Sequence, residues 1–402
     1  VGLKTFKYRL YPTPAQEKCM LNTLAVCRHF YNMCLEERML TYKFEGRSVK
    51  KSDQEKMAIR YRATFPQAKA VFSQTLQTVA NTVDKAFQAF FRRIKTGEKS
   101  GYPRFKSRNR FHSFAFKQFG AGAKRDGRRL KLFGIGRVVV CWHRPIEGVI
   151  KTVHIIYKAA RWYACFACEV PDKPPLPETG KQIGIDVGIS ALLTTSEGEK
   201  VTQPKFYREG QAKLRVLQRS LSRKQKGSKN RRKALLKVQR QHEHVKNQRT
   251  DFAHKLSYAL IQDYDRIACE DLKIRNMVRN HYLSKSILDA GWGIFKQLLV
   301  NKAVDAGRQV VFVDPSYTSK CCSNCDTEFQ NFDLSTRWVE CVCGLSLDRD
   351  HNAAINILNR AGWDTSVQPN VAPLPKPKGN GKRKRAVALA VVECHNAEVP
   401  IR

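Results

Sequence analysis

Apolar and polar positions alternate at the start of the chain, with Phe6, Tyr8 and Leu10 on one face and Thr5, Lys7 and Arg9 on the other. That period of two predicts a half-buried strand, stopped at Pro12. Thr13-Pro14-Ala15-Gln16 then reads as a helix start: threonine as N-cap, proline in the first turn, glutamine three residues on. From there to about Lys95 the spacing is helical. Leu21, Leu24, Ala25 and Arg28 open one helix, and Leu76, Val79, Val83, Phe87 and Phe90 mark the buried stripe of another. The helical pattern ends around residues 101–105. Residues 110–171 are strand-rich, with runs at 137–142 and 153–157 punctuated by glycines. Cys165 and Cys168 fall in one such run, where they would point to opposite faces, so they read as core cysteines and not as ligands.

Pro171-Asp-Lys-Pro-Pro-Leu-Pro177 is a linker by composition. A second module runs from Lys181 to about Gly362, and residues 363–402, with Lys382-Arg-Lys-Arg385, read as a flexible basic tail. Within the second module, Lys181-Gln-Ile-Gly-Ile-Asp-Val-Gly-Ile189 predicts a short buried strand carrying Asp186 in its middle, followed by a hairpin over 191–202. A second strand over 264–271 ends with Glu270, and Asp350 opens an alanine-rich helix. Residues 206–256 read as a helical hairpin, with Leu214, Leu217 and Leu221 on one stripe and Leu236, Val238 and Val245 on another. Between the two stripes lies a basic run from Ser222 to Lys233, which includes Arg223, Lys224, Arg231, Arg232 and Lys233.

Charge narrows the function. The 402 residues include 73 Lys and Arg against 35 acids, a formal net charge of +38, which calls for a polyanionic partner; nucleic acid is the expectation. With 42% hydrophobic residues the chain can bury a core. The longest apolar runs fall short of the roughly 18 residues of a membrane span, and the first residues carry no signal-peptide pattern, so no membrane and a cytoplasmic, nucleoid-associated location are expected. Five of the 13 cysteines crowd between Cys321 and Cys343, a pattern that suits a metal site in a reducing compartment.

An acid inside an apolar strand is costly unless it is paired or binds a cation. One alone is most simply a salt-bridged structural residue. Three acids on a strand, a strand end and a helix start could converge at one sheet edge, as phosphodiester hydrolysis by two magnesium ions about 4 Å apart requires. Spacing by itself leaves that convergence open.

These residues resemble a family. Gly184-Ile-Asp-Val-Gly188, Cys269-Glu-Asp-Leu272 and Asp348-Arg-Asp-His-Asn-Ala-Ala-Ile-Asn356 are similar to the three RuvC motifs of TnpB, the nuclease carried by small insertion sequences and related to type V CRISPR effectors. Tyr8-Arg-Leu-Tyr-Pro12, Ser73-Gln-Thr-Leu-Gln77, Gly101-Tyr-Pro-Arg-Phe105 and Leu288-Asp-Ala-Gly-Trp-Gly-Ile-Phe295 extend the likeness in order over residues 3–360. The resemblance implies a multidomain α+β and α/β fold: a wedge-type β-barrel (1–12 and 101–175) with a helical recognition insert (13–100), then an RNase H-like RuvC nuclease domain (181–320 and 344–362) with the basic hairpin as its helical insert, and a zinc ribbon (321–343). It makes Asp186, Glu270 and Asp350 the catalytic acids holding two Mg2+ ions, with Asp348 the competitor for the third place. It also implies RNA-guided cutting of double-stranded DNA beside a short adjacent motif, with a guide RNA derived from the transposon end. A nuclease-inactive RNA-guided repressor on the same scaffold is the alternative.

Cys322-x-x-Cys325 with Cys341-x-Cys343 looks like a structural Zn2+ site. The second pair departs from the family's Cys-x-x-Cys, since Glu340 stands where the first of the two cysteines is expected; a metal-free hairpin is the other reading. The basic run is read as contacting nucleic-acid backbone, with a solvated helix face as the alternative. Ser73 and Gln77 share a helix face. Gln77, with Gln74 and Ser73 beside it, is either the reader of the adjacent motif, by bidentate bonding to adenine, or part of a polar helix coat.

Overall fold

The computed structural model describes residues 2–330, 332, 333 and 335–363. The chain divides into two compact units, Val1–Asp172 and Lys173–Arg402. Beyond Trp363, the tail expected over 363–402 lies outside the described residues.

In the first unit, β1 (Gly2–Tyr11) precedes three helices, α1 (Pro14–Glu45), α2 (Lys51–Thr64) and α3 (Ser73–Lys95). Six strands follow: β2 (Ser113–Phe116), β3 (Ala123–Asp126), β4 (Arg129–Leu132), β5 (Gly136–Cys141), β6 (Val149–Lys158) and β7 (Arg161–Val170). They form one antiparallel, barrel-like sheet in the order β2-β6-β7-β1-β5-β4-β3. β1 alternates as read, with Phe6, Tyr8 and Leu10 buried, and pairs with β7 from Gly2↔Val170 to Leu10↔Trp162. A reciprocal capping box starts α1: Gln16 N donates to Thr13 Oγ1 at 3.3 Å and Thr13 N to Gln16 Oε1 at 3.0 Å. α3 buries Leu76, Val79, Val83 and Phe87, whereas Phe90 is only half-buried. Cys165 and Cys168 are both buried in β7.

The second unit is built on a five-stranded sheet of order β10-β9-β8-β11-β12, formed by β8 (Gln182–Asp186), β9 (Ala191–Thr195), β10 (Lys200–Thr202), β11 (Arg266–Glu270) and β12 (Gln309–Val313). β8, β11 and β12 are parallel; β9 and β10 are antiparallel to their neighbours. Two long helices, α4 (Phe206–Ser222) and α5 (Lys229–Asp263), join β10 to β11, and α6 (Ile274–Met277), α7 (His281–Ala290) and α8 (Trp292–Ala306) join β11 to β12. The described residues of this unit end with a short hairpin of β13 (Trp338–Glu340) and β14 (Ser346–Asp348), then α9 (Arg349–Arg360).

The pleat decides which residues meet which helices. Ile183, Ile185, Ile267 and Cys269 point into an apolar core with Leu256 and Leu260 of α5 and Trp292, Phe295 and Leu299 of α8. Their neighbours along the strands point the other way, where Ala268 packs with Ile357 of α9. A Cβ on Gly184 would run into the carbonyl oxygen of Ala354, so the glycine lets α9 lie directly on β8. Ala353 and Ala354, both fully buried, keep the helix side of that contact equally small.

Candidate active site and cysteine cluster

β8 stops at Asp186. The sequence placed this acid mid-strand; instead Val187-Gly-Ile leaves the sheet, because the paired register with β9 runs only to Ile185↔Thr195 and Asp186↔Thr194. β11 likewise ends at Glu270, and the parallel register Ala268↔Gly184, Cys269↔Ile185 brings the two acids side by side at the carboxyl ends of neighbouring strands. Both lie on the α9 face, because each is two residues beyond a small residue, Gly184 or Ala268, that faces that helix. On α9, Asp350 is one turn ahead of Ala354 and therefore shares its sheet-facing side. Three separated acids thus converge.

Electrostatics records the convergence. Burial pushes the Asp186 carboxyl well above the usual carboxylate range, and the negative charges of Glu270, Asp350 and Asp348 push it further. Burial also raises Glu270, opposed by a hydrogen bond from Thr318 and by the charge of Lys296. Lys296 itself lies 3.7 Å from Asp271 and 4.5 Å above the Phe312 ring. Asp350 is buried and takes two bonds on Oδ1 from the Arg349 guanidinium, at 3.0 and 3.1 Å. Asp348 has a different job. It N-caps α9, accepting from Asp350 N at 3.1 Å and His351 N at 3.2 Å, and its other oxygen pairs with Lys200 at 2.6 Å. A crowd of buried carboxylates with oxygen donors only is the donor set a hard divalent cation such as Mg2+ selects.

The four cysteines meet as well. Ligand atoms of Cys322, Cys325, Cys341 and Cys343 all lie within 4.8 Å of one another, with sulfur pairs at 3.6 Å (Cys322, Cys343) and 3.4 Å (Cys325, Cys341). The shortened second pair is accommodated by a tight turn: Gly344 N donates to Cys341 O at 2.9 Å, and Gly344 takes a φ of +88° that favours glycine. The Leu345 N–H and then the Asn324 side chain draw the Cys343 thiol down to about 6, whereas burial pushes Cys322 up to about 12. The cluster is compatible with a structural zinc. Cys321 contributes its backbone carbonyl, not its thiol, to the neighbourhood.

The basic hairpin forms, with α4 and α5 as its arms. Arg223, Lys224, Arg232 and Lys233 are exposed there. Arg231 differs from them: its Nη1 donates to the carbonyls of Leu221 and Lys224, at 3.0 and 3.1 Å, so it laces the turn. In the first unit, Ser73, Gln74 and Gln77 are half-buried on α3, and Gln74 Nε2 donates to Gln118 Oε1 at 3.0 Å.

Reading the sequence did not single out Thr318, Lys296, Asn352 or Asn356 as site residues. The two asparagines lay inside a quoted motif and could have been found, since amides on consecutive turns of an apolar helix demand partners. For Thr318 and Lys296 only proximity in space speaks.

Residues 165–281 match a family model described as "Probable transposase", 292–357 one described as "Cas12f1-like, TNB domain", and 2–47 one described as "Helix-turn-helix domain". The chain is 36% identical over 361 residues, 88% of each chain, to a Streptomyces pristinaespiralis protein named "Putative RNA-guided DNA endonuclease". The chain belongs to the TnpB family. Other relatives of this TnpB chain include InsQ of Escherichia coli K12, under the same printed description, at 30% over 374 residues (89% of this chain, 92% of that one). Another is the TnpB-like protein L79 of Acanthamoeba polyphaga mimivirus, at 27% over 231 residues (54% and 44%). Among solved structures, the Cas12f1 chain of a complex with sgRNA and target DNA has the same fold, with a TM-score of 0.58 at 14% identity, covering 90% of this chain and 99% of that one. The helix-turn-helix description does not fit the local structure of this TnpB member, where residues 2–47 hold a strand and one unbroken 32-residue helix.

Proposed function

We propose that this chain is an RNA-guided DNA endonuclease that hydrolyses phosphodiester bonds of target DNA next to a short adjacent motif. The observation that carries the reading is the meeting of Asp186, Glu270 and Asp350 at the carboxyl ends of β8 and β11 and the first turn of α9. The sheet order and strand directions support an RNase H-like, RuvC-type assignment of the second unit. The relatives' printed names and the guide and target in the Cas12f1 complex support the nucleic-acid partners, as does the charge of +38. In this reading the barrel-like sheet is the wedge, α1 to α3 the recognition insert carrying Gln77, and the segment with the four-cysteine cluster a zinc ribbon. The guide derives from the transposon end.

Asp186, Glu270 and Asp350 would hold Mg2+. Bound there, two such ions supply a nucleophilic water and stabilise the leaving oxygen. The protein's own residues prepare the site: the Arg349 guanidinium fixes the Asp350 carboxylate, Thr318 fixes Glu270, and Asp348 keeps the helix end closed. The test is plasmid cleavage by protein co-purified with its RNA, with magnesium or EDTA, beside Asp186→Ala. RNA- and magnesium-dependent cutting that vanishes in the variant is expected. Tight target binding without cutting would replace the reading with a guided repressor, and cutting without RNA would leave only the hydrolytic chemistry.

A further inference from the structure

We propose that Thr318 is a positioning residue for Glu270, and that Asn356 ties this positioning to the first cysteine knuckle, the segment of Cys322 and Cys325, so that the metal-binding acid and the four-cysteine cluster are held as one unit. The inference rests on the endonuclease reading above and deepens it.

Thr318 Oγ1 donates to Glu270 Oε1 at 2.6 Å, in a contact where both residues are almost wholly buried. The same hydroxyl lies 3.1 Å from the Pro315 carbonyl, but its single proton goes to the nearer, charged acceptor. The backbone on either side of this threonine is fixed from α9. Asn356 Nδ2 donates to the carbonyls of both Thr318 and Cys321, at 2.8 and 2.7 Å. Asn352 adds a second bond to Cys321 O at 2.8 Å and accepts from Ser323 N at 2.9 Å. Cys322, the fully buried member of the cluster, sits between these two anchored residues.

The consequence is geometric. α9 carries Asp350 at its start and, two turns on, the amide that holds the Thr318–Cys322 segment. That segment in turn holds Glu270 at Oε1, while Lys296 and Arg360 act on the same carboxylate through their charge. A hydroxyl that pre-orients a ligating carboxylate strengthens metal binding by about 10- to 100-fold in comparable sites. Thr318 lies within four residues of Cys322, so slack in the knuckle is transmitted to the acid by a single hydrogen bond.

The experiment compares wild type with Thr318→Val and Thr318→Ser, each as the full chain with its RNA. Mn2+ binding is followed by electron paramagnetic resonance, with Asp186→Ala giving the background, and cleavage is followed against Mg2+ concentration. Thr318→Val is expected to bind Mn2+ about tenfold more weakly and to need correspondingly more Mg2+, with target affinity and zinc content unchanged. Thr318→Ser, which keeps the hydroxyl, should restore both. Thr318→Ala, which needs no new space, serves if the valine variant does not fold. A hydroxyl-free variant with wild-type Mn2+ affinity and wild-type Mg2+ dependence, beside an active wild type, overturns the proposal alone. A wild type that neither binds Mn2+ above background nor cuts overturns the endonuclease reading and this inference with it.

Discussion

Asp348 Oδ1 accepts the backbone N–H of Asp350 at 3.1 Å, which assigns different work to two acids separated by one residue. The first closes the helix; the second faces Asp186. Asp350→Ala is therefore expected to reduce cleavage at least roughly a thousandfold, the several kcal/mol that a metal-binding carboxylate contributes to the transition state. Asp348→Ala should cost about 1 kcal/mol of stability as a lost N-cap while retaining measurable cutting. Equal loss in the two variants, measured in single-turnover assays with matched thermal unfolding, would contradict the division.

The acid cluster should destabilise the protein when metal is absent. Asp186 has its folded value raised by burial and by its acidic neighbours, so its contribution to stability is present below the unfolded value of about 3.9 and is lost as pH rises through the folded value. Asp186→Asn imitates the neutral acid. It should raise the Tm of the metal-free protein at neutral pH, with the gap closing towards about pH 4. Added Mg2+ should raise the Tm of wild type and leave the variant unmoved. A lower Tm for Asp186→Asn in EDTA would show that the carboxylate is held by partners and not by a cation.

One zinc per chain is expected by elemental analysis, lost in Cys322→Ser and Cys341→Ser. Cys321→Ser should keep the metal, since the clustered sulfurs are those of Cys322, Cys325, Cys341 and Cys343 and Cys321 is engaged through its backbone. Zinc retention should weaken on acidification, because protons compete for the thiolates. Zinc that survives Cys341→Ser would show the second pair to be bystanders.

The basic run between α4 and the start of α5 separates into lacing and binding residues. Arg232→Ala with Lys233→Ala should lower the salt dependence of RNA or heteroduplex binding by about one to two units of slope with little change in stability. Arg231→Ala should instead cost about 1 kcal/mol of folding stability through its lost carbonyl bonds. An unchanged slope in the double variant would return those two side chains to an ordinary solvated face.

The sequence by itself determined the elements and the kinds of chemistry. The strand at Phe6, Tyr8 and Leu10, the Thr13 capping box, the helical hairpin and the apolar strands carrying Asp186 and Glu270 all follow from local periodicity and capping, which act within a few residues of chain; that β8 stops at Asp186 does not. The cysteine spacing pointed to a cluster compatible with zinc, and the excess of Lys and Arg pointed to a polyanionic partner, for similarly local reasons. Tertiary structure decided where these residues meet. No local rule could bring Asp186, Glu270 and Asp350 together: that depends on the parallel pairing of β8 with β11 and on Gly184 and Ala268 admitting α9 against the sheet. Nor could local spacing separate the roles of Asp348 and Asp350, or of Arg231 and Arg232, because each role is fixed by what the side chain reaches once the helices are in place. The Thr318–Glu270 bond spans 48 residues of sequence, a contact that exists only because β11 and the cysteine knuckle are held against the same helix.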